Sequence, residues 1–429
     1  MKSTAIAALR GRRVWDSRGR PTVEAEVRLE GGGFGRAIAP SGASTGKAEA
    51  VERRDGGAAL GGADVRQAVA AVNGEIGRAL KGRDGADQEA IDRFLIALDG
   101  TPQKSRLGAN ALVAVSLAVL EAAADAAGVP LYAHLSGGAE ETTIPLPEIQ
   151  IFGGGAHAGR RIDIQDLMIV APFAPSFAEA LVATAEVYRA AGAILAEKGS
   201  LCGLADEGGF WPSFSTNEEA LETLVKAIQK AGFQPGEEIF LSLDIAASQF
   251  FAGGLYRLGL DRRALDRDGM AAMLAGWLER YPIASIEDPF AEEDLEGWRR
   301  FTAAFGEKVQ IVGDDLLVTN DQRIRKAAAA KACNAVLVKP NQAGTVSEAR
   351  RAFAAAREAG FSAIASARSG ESEDVSIVHL AVGWGIPQLK VGSFARSERM
   401  AKWNEALRIE EALEGSARFA GAEPLRLRR

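Results

Sequence analysis

Residues 309–339 read VQIVGDDLLVTNDQRIRKAAAAKACNAVLVK. A short apolar run, Val309–Val312, stops at Gly313 and two acids, Asp314 and Asp315. An alanine-rich stretch follows, and a second apolar run, Ala335–Val338, stops at Lys339. Neither run alternates polar with apolar, as expected of strands buried on both faces. Strand, helix and strand within roughly thirty residues make a crossover unit, and such a unit joins parallel strands.

The same grammar extends in both directions. IFLSLD ends at Asp244, PIASIED at Glu287 and Asp288, SAIASAR at Arg368, and PQLKVG carries Lys390. Between most of these runs lies an amphipathic, alanine-rich segment such as GTVSEARRAFAAAREAG. Repetition on this scale predicts an α/β fold with a closed (β/α)8-like barrel. Upstream the pattern differs. Thr22–Leu29 alternates with period two, and Gly31-Gly32-Gly33 turns the chain into Phe34–Ala39. Helical spacing follows over 59–81, 86–98 and 108–127, the last stopping at Gly128 and Pro130. Gly137–Thr143 reads as a linker. The expected organisation is an α+β capping domain, 1–138, and a catalytic barrel domain, 139–429.

A net charge of −7 with no basic cluster excludes general nucleic-acid binding. No run of about 20 apolar residues predicts a membrane span. The segment MKSTAIAALRGRR is too short in apolar residues for a secretory signal, so a cytoplasmic protein is expected. Cys202 and Cys333 are far apart and read as reduced core thiols. With three histidines, His134, His157 and His379, a histidine-built zinc site is disfavoured, and any metal should have oxygen ligands, as Mg²⁺ or Mn²⁺ does.

Barrel strands point their C-terminal ends at one mouth. Here those ends carry Asp244, Glu287, Asp314, Lys339, Arg368 and Lys390. Three crowded carboxylates repel one another, and a bound divalent cation removes the conflict. A lysine among other cations can have its pKa lowered and act as a base, which singles out Lys339. Arg368 and Ser369 suit a phosphate, with Lys390 as a second point charge. His157, inside the glycine loop 153–159, is placed to fold over a ligand. Gln165 and Asp166 are polar residues in a strand-like run, and Asp206-Glu207-Gly208-Gly209 puts acids on a loop. Ser41–Lys47, SGASTGK, fails the phosphate-loop pattern and reads instead as a lid that donates Ser44.

DSRGRPTVE (16–24), PSGASTG (40–46), KSRLGANALVAVSLA (104–118), GGAHA (154–158), DIQDLMI (163–169), DEGG (206–209), SIEDPFAEED (285–294), VGDDLLVTN (312–320), VLVKPNQAG (336–344), ARSGESED (367–374) and ARSERMAK (395–402) together resemble the enolase family over nearly the whole chain. The resemblance implies an enolase-type barrel and a Mg²⁺-dependent carbon–oxygen lyase of glycolysis. Its reaction is the reversible dehydration of 2-phosphoglycerate to phosphoenolpyruvate. Sites of this superfamily are themselves the standard illustration of a Lys or His base working beside one or two Mg²⁺. By resemblance, Lys339 removes the proton alpha to the carboxylate, and Lys390 stabilises the charged intermediate. Glu207, assisted by Asp166, protonates the leaving hydroxyl. Asp244, Glu287 and Asp314 hold the first Mg²⁺. Ser44 reaches a second ion that arrives with substrate. Gln165, His157, Arg368 and Ser369 contact a small phosphorylated carboxylate, and a homodimer or larger homo-oligomer is expected.

Two positions depart from the family pattern. Ala367 stands where a histidine is usual, and Asp166 where a glutamate is usual. Both side chains are shorter at the reacting end. They leave open an alternative, an enolase paralogue of specialised metabolism acting on a related phospho- or phosphono-carboxylate.

Overall fold

The computed structural model describes residues 3–138, 142–413 and 415–427; residues 139–141 of the expected linker lie outside the described residues. The N-terminal sheet is an antiparallel meander of β1 (Ile6–Trp15), β2 (Pro21–Leu29) and β3 (Phe34–Ile38). Helix α1 (Ala109–Ala127) packs across it. The approach is close enough to require glycine: a Cβ on Gly35 would stand 2.0 Å from the carbonyl oxygen of Ala118. By length and composition α1 could cross a membrane, but 83% of its apolar window is buried inside the fold, as in a core helix. The helix expected over 59–81 begins only at Arg66, because Leu60, Gly61 and Gly62 take positive φ and break the spacing.

The barrel comprises β4 (Leu146–Gly153), β5 (Asp166–Val170), β6 (Phe240–Asp244), β7 (Ile283–Glu287), β8 (Gln310–Gly313), β9 (Ala335–Val338), β10 (Ser362–Ser366) and β11 (Gln388–Ser393). Neighbours pair in that order, and β11 closes the ring on β4. Helices α2 (Phe177–Glu197), α3 (Asn217–Lys230), α4 (Arg267–Arg280), α5 (Leu295–Phe305), α6 (Asp321–Ala330), α7 (Val346–Glu358), α8 (Ser376–Trp384) and α9 (Ser397–Ala412) follow in chain order. Many start at side-chain caps. Asp266, Asp294, Asn320 and Thr345 each accept the N–H of the third residue on, as capping residues do.

One strand breaks the all-parallel expectation. β5 runs antiparallel to both β4 and β6. Residues 154–165 form only one short helical turn, Gly155–Ala158, and no crossover helix, so the chain turns back directly. Helices α2 and α3 then both precede β6. The reversal brings Asp166, the first residue of β5, level with Asp244, the last of β6.

A hairpin of Leu201–Leu204 and Phe210–Pro212 joins the sheet beside Phe152 of β4. Its outer position corrects the expectation for Cys202. That thiol is exposed and accepts a hydrogen bond from Arg161 Nη1 at 3.1 Å, whereas Cys333 is buried.

Candidate active site

Register builds the first half of the site. Asp166, Asp244 and Glu287 stand side by side on β5, β6 and β7, all buried. Lys390 reaches in from β11, its Nζ 2.6 Å from Glu287, 3.2 Å from Asp244 and 3.6 Å from Asp166. One ammonium cannot satisfy three carboxylates. Asp166 Oδ2, Asp244 Oδ1 and Glu287 Oε1 are buried without a hydrogen-bond partner among the described residues. Burial and the neighbouring Asp244 push Glu287 well above the usual carboxylate range. Lys390 is held well above the ordinary lysine value: burial opposes its charge, but Asp244 and Glu287 outweigh it.

Asp314 and Lys339 follow β8 and β9 and pair at 2.6 Å. Gln342 Nε2 donates to the other oxygen of Asp314 at 2.9 Å. Here the lysine expectation needs correcting. Burial pulls Lys339 down, but Asp314 more than compensates, so its pKa is raised in this structure. Asp314 is itself lowered: burial pushes it up and Lys339 outweighs that. Behind this pair, Asp288 accepts the backbone N–H groups of Asp314 and Asp315 at 2.9 Å each. Burial and then Asp314 raise Asp315 to about 8.

The second half joins the barrel mouth to the N-terminal residues. Arg368 and Ser369 follow β10 and are buried. Arg368 pairs with Glu49 at 2.9 Å and donates to the Ser44 carbonyl at 3.0 Å and to Asn341 at 3.2 Å. Ser369 Oγ accepts from the Ala43 N–H at 2.6 Å and from Arg18 at 3.2 Å. The lid expected around Ser44 therefore lies directly on Arg368, engaging it through the Ser44 carbonyl. Glu49 was not singled out by sequence reasoning. The available signal was an acid two residues past SGASTGK.

The third group faces β5. His157 Nδ1 is 3.1 Å from Asp166 and its Nε2 is 3.8 Å from Glu207. Burial opposes charge on the ring, yet Asp166 and Glu207 raise its pKa to about 9. Asp166 moves down: His157 outweighs the burial that would raise it. Gln150 of β4, also missed in the sequence, donates to Asp166 and accepts the Gly209 N–H at 2.8 Å. Gln165 donates to Asp244 at 2.9 Å, so it steadies a carboxylate of the mouth. Ala367 is buried at the rim, its N–H on the Lys390 carbonyl at 2.9 Å.

Several of these groups could hold a metal. Asp288, Asp314 and Asp315 present oxygens within 4.8 Å of one another, as do His157, Asp166 and Glu207 with a ring nitrogen. The unpartnered oxygens of Asp244 and Glu287 add to this surplus of negative charge. A buried, mostly oxygen donor set fits a hard divalent cation.

A barrel mouth that combines buried carboxylates, two lysines and a buried arginine carries the groups that acid–base chemistry needs. The comparisons narrow this. Residues 6–135 match the family model "Enolase, N-terminal domain", and residues 141–427 match "Enolase, C-terminal TIM barrel domain". The chain is also 48% identical over 422 residues to "Enolase 1" of Desulfitobacterium hafniense (strain Y51), covering 98% of this chain and 96% of that protein. The chain belongs to the enolase family.

Proposed function

We infer that the protein is a hydro-lyase that interconverts 2-phosphoglycerate and phosphoenolpyruvate, with Mg²⁺ bound at the barrel mouth. The observation that carries this reading is the pairing of Lys339 with Asp314 and of Lys390 with Glu287 at one buried mouth, where Arg368 is buried as well. Asp244, Glu287 and Asp314 would hold one Mg²⁺. Ser44 would reach a second that enters with substrate. When bound, the metal supplies positive charge to the substrate carboxylate as its alpha carbon loses a proton.

The chain's own groups divide the remaining work. Arg368 and Ser369 bind the phosphoryl group through charge-assisted hydrogen bonds. Lys339 takes the alpha proton. For this it must be neutral, and the nearby Arg368 and Lys390 favour the neutral form once Asp314 no longer serves as its counter-ion. Lys390 offsets the charge that develops on the intermediate. Glu207 gives a proton to the leaving hydroxyl. Asp166 and Gln150 hold the neighbouring His157 and the Gly208–Gly209 turn in place for that transfer. His157 and Gln165 line the substrate end.

Residues 1–138 act as a cap on the barrel domain 139–429; the Ser41–Gly370 bridge, which joins the two, supports the capping role. A cytoplasmic homodimer working in glycolysis completes the reading.

Turnover of 2-phosphoglycerate by the purified protein, followed by the ultraviolet absorbance of the enol product, tests it. Activity with Mg²⁺ and none after EDTA is expected. No turnover with Mg²⁺ present would refute it. The short side chains of Asp166 and Ala367 favour a second reading, a paralogue for a related phospho- or phosphono-carboxylate. A large gain in 2-phosphoglycerate turnover on combining Ala367→His with Asp166→Glu would support that second reading.

A further inference from the structure

Two cations lie fully buried beneath the grip, Arg399 and Lys402. Both belong to α9, and their i,i+3 spacing puts them on one face of that helix. Arg399 gives one guanidinium nitrogen to the carbonyl of Arg368 and the other to the carbonyl of Ser369, each at 2.7 Å. These are the two residues assigned to the phosphoryl group. Lys402 donates to the Ser372 carbonyl at 3.0 Å and pairs with Glu371 at 3.1 Å. Glu371 in turn accepts the Arg368 N–H at 2.9 Å.

The stem of Arg399 is equally constrained. At Gly392 of β11, φ is +102°, and a Cβ there would stand 2.6 Å from Arg399 Cδ and 3.0 Å from the Glu207 carbonyl. The next residue, Ser393, donates its N–H to that same Glu207 carbonyl at 2.9 Å. Arg399 thus sits between the backbone of the grip and the backbone carrying the acid. A buried guanidinium spent on two successive carbonyls fixes both the height and the tilt of the loop above it. A point charge with a single nitrogen cannot do this.

We propose that Arg399 is a positioning residue for substrate phosphate, aiming Arg368 and Ser369 from below through their carbonyls. The proposal rests on the reading of Arg368 and Ser369 as the phosphate grip. Phosphate is held in ground state and transition state alike, so misplacing the grip should weaken binding more than it slows chemistry.

The test is steady-state kinetics of the full-length protein with Mg²⁺, comparing wild type, Arg399→Lys and Arg368→Lys, with inorganic phosphate as competing ligand. For Arg399→Lys, KM for 2-phosphoglycerate and Ki for phosphate should each rise about tenfold or more, with kcat within about threefold. Arg368→Lys should raise both constants as well. If Arg368→Lys raises them and Arg399→Lys does not, or only lowers kcat or the melting temperature, the positioning role is overturned and the grip stands. If Arg368→Lys leaves both constants unchanged, the grip reading fails and the proposal falls with it. Should Arg399→Lys not fold, Arg399→Gln carries the same comparison, since its amide still donates to one of the two carbonyls.

Discussion

The charge on His157 is open to direct measurement. Its ring is buried between Asp166 and Glu207, and its pKa is raised from 6.5 to about 9. At about 1.36 kcal/mol for each tenfold change in proton affinity, that difference is worth about 3 kcal/mol of folding stability. The sign follows from the raised value. The contribution is complete below about pH 6.5, shrinks as pH climbs, and is gone above about pH 9. Asp166 moves the opposite way, so its contribution is lost only in acid and stays constant across this window. Asp315, raised to about 8, and Glu121, raised to about 7 by burial and then Asp374, also change stability between pH 4 and 8. A difference measurement removes them. Urea unfolding of wild type and His157→Gln should show a stability gap that narrows by about 3 kcal/mol between pH 6.5 and 9. The chain has only three histidines, so selectively labelled imidazole carbons give three NMR signals, and His157→Gln identifies one of them. A constant gap, together with a His157 signal titrating near 6.5, would refute the charged His157–Asp166 pair.

Other consequences are equally concrete. Lys339→Met should lower turnover by roughly 10²- to 10⁴-fold, with loss of alpha-proton exchange into deuterated water followed by NMR. Asp244→Asn and Glu287→Gln should each weaken Mg²⁺ binding about tenfold or more by titration calorimetry, because each removes a full charge from a hard-cation site. Trp298 is completely buried and its indole N–H donates to the Ala291 carbonyl at 3.1 Å. Trp298→Ala should destabilise the fold by about 3–5 kcal/mol in denaturant titration.

The barrel was legible because parallel strands buried on both faces leave unbroken apolar runs, and each run ends where the chain reaches the mouth. Asp244, Glu287, Asp314 and Lys339 could therefore be read from local sequence. The antiparallel β5 could not. Its residues are as apolar as those of its parallel neighbours, and its direction is set by the short return through 154–165. Glu49, Gln150 and Arg399 also escaped notice as site residues. Glu49 meets Arg368 from far along the chain, and Gln150 meets Asp166 only because β5 folds back on β4, a reversal that the sequence did not reveal. The raised pKa of Lys339 rests first on Asp314 and then on Glu287, neighbours that spacing alone does not fix.

The reversal of β5 carries a chemical consequence. In an all-parallel barrel a strand's first residue lies at the far end from the mouth, and Asp166 would be remote from Asp244. Running backwards, β5 delivers that first residue to the mouth, and with it the loop bearing His157. Asp166, Asp244 and Glu287 then crowd around Lys390, while Asp288, Asp314 and Asp315 crowd near Lys339. Protons and a divalent cation compete for these oxygens. Glu287, Asp288 and Asp315 all lean toward the protonated form when only the lysines balance them. A cation bound there must displace protons to reach the carboxylates, so its affinity rises with pH. Were Asp314 drawn onto such a cation, Lys339 would be left facing Arg368 and Lys390, which favour its neutral form. On the proposed reading, binding of the metal at Asp314 and readiness of Lys339 as base would then be one electrostatic event, beside the carboxylate cluster that the reversed β5 completes with Asp166.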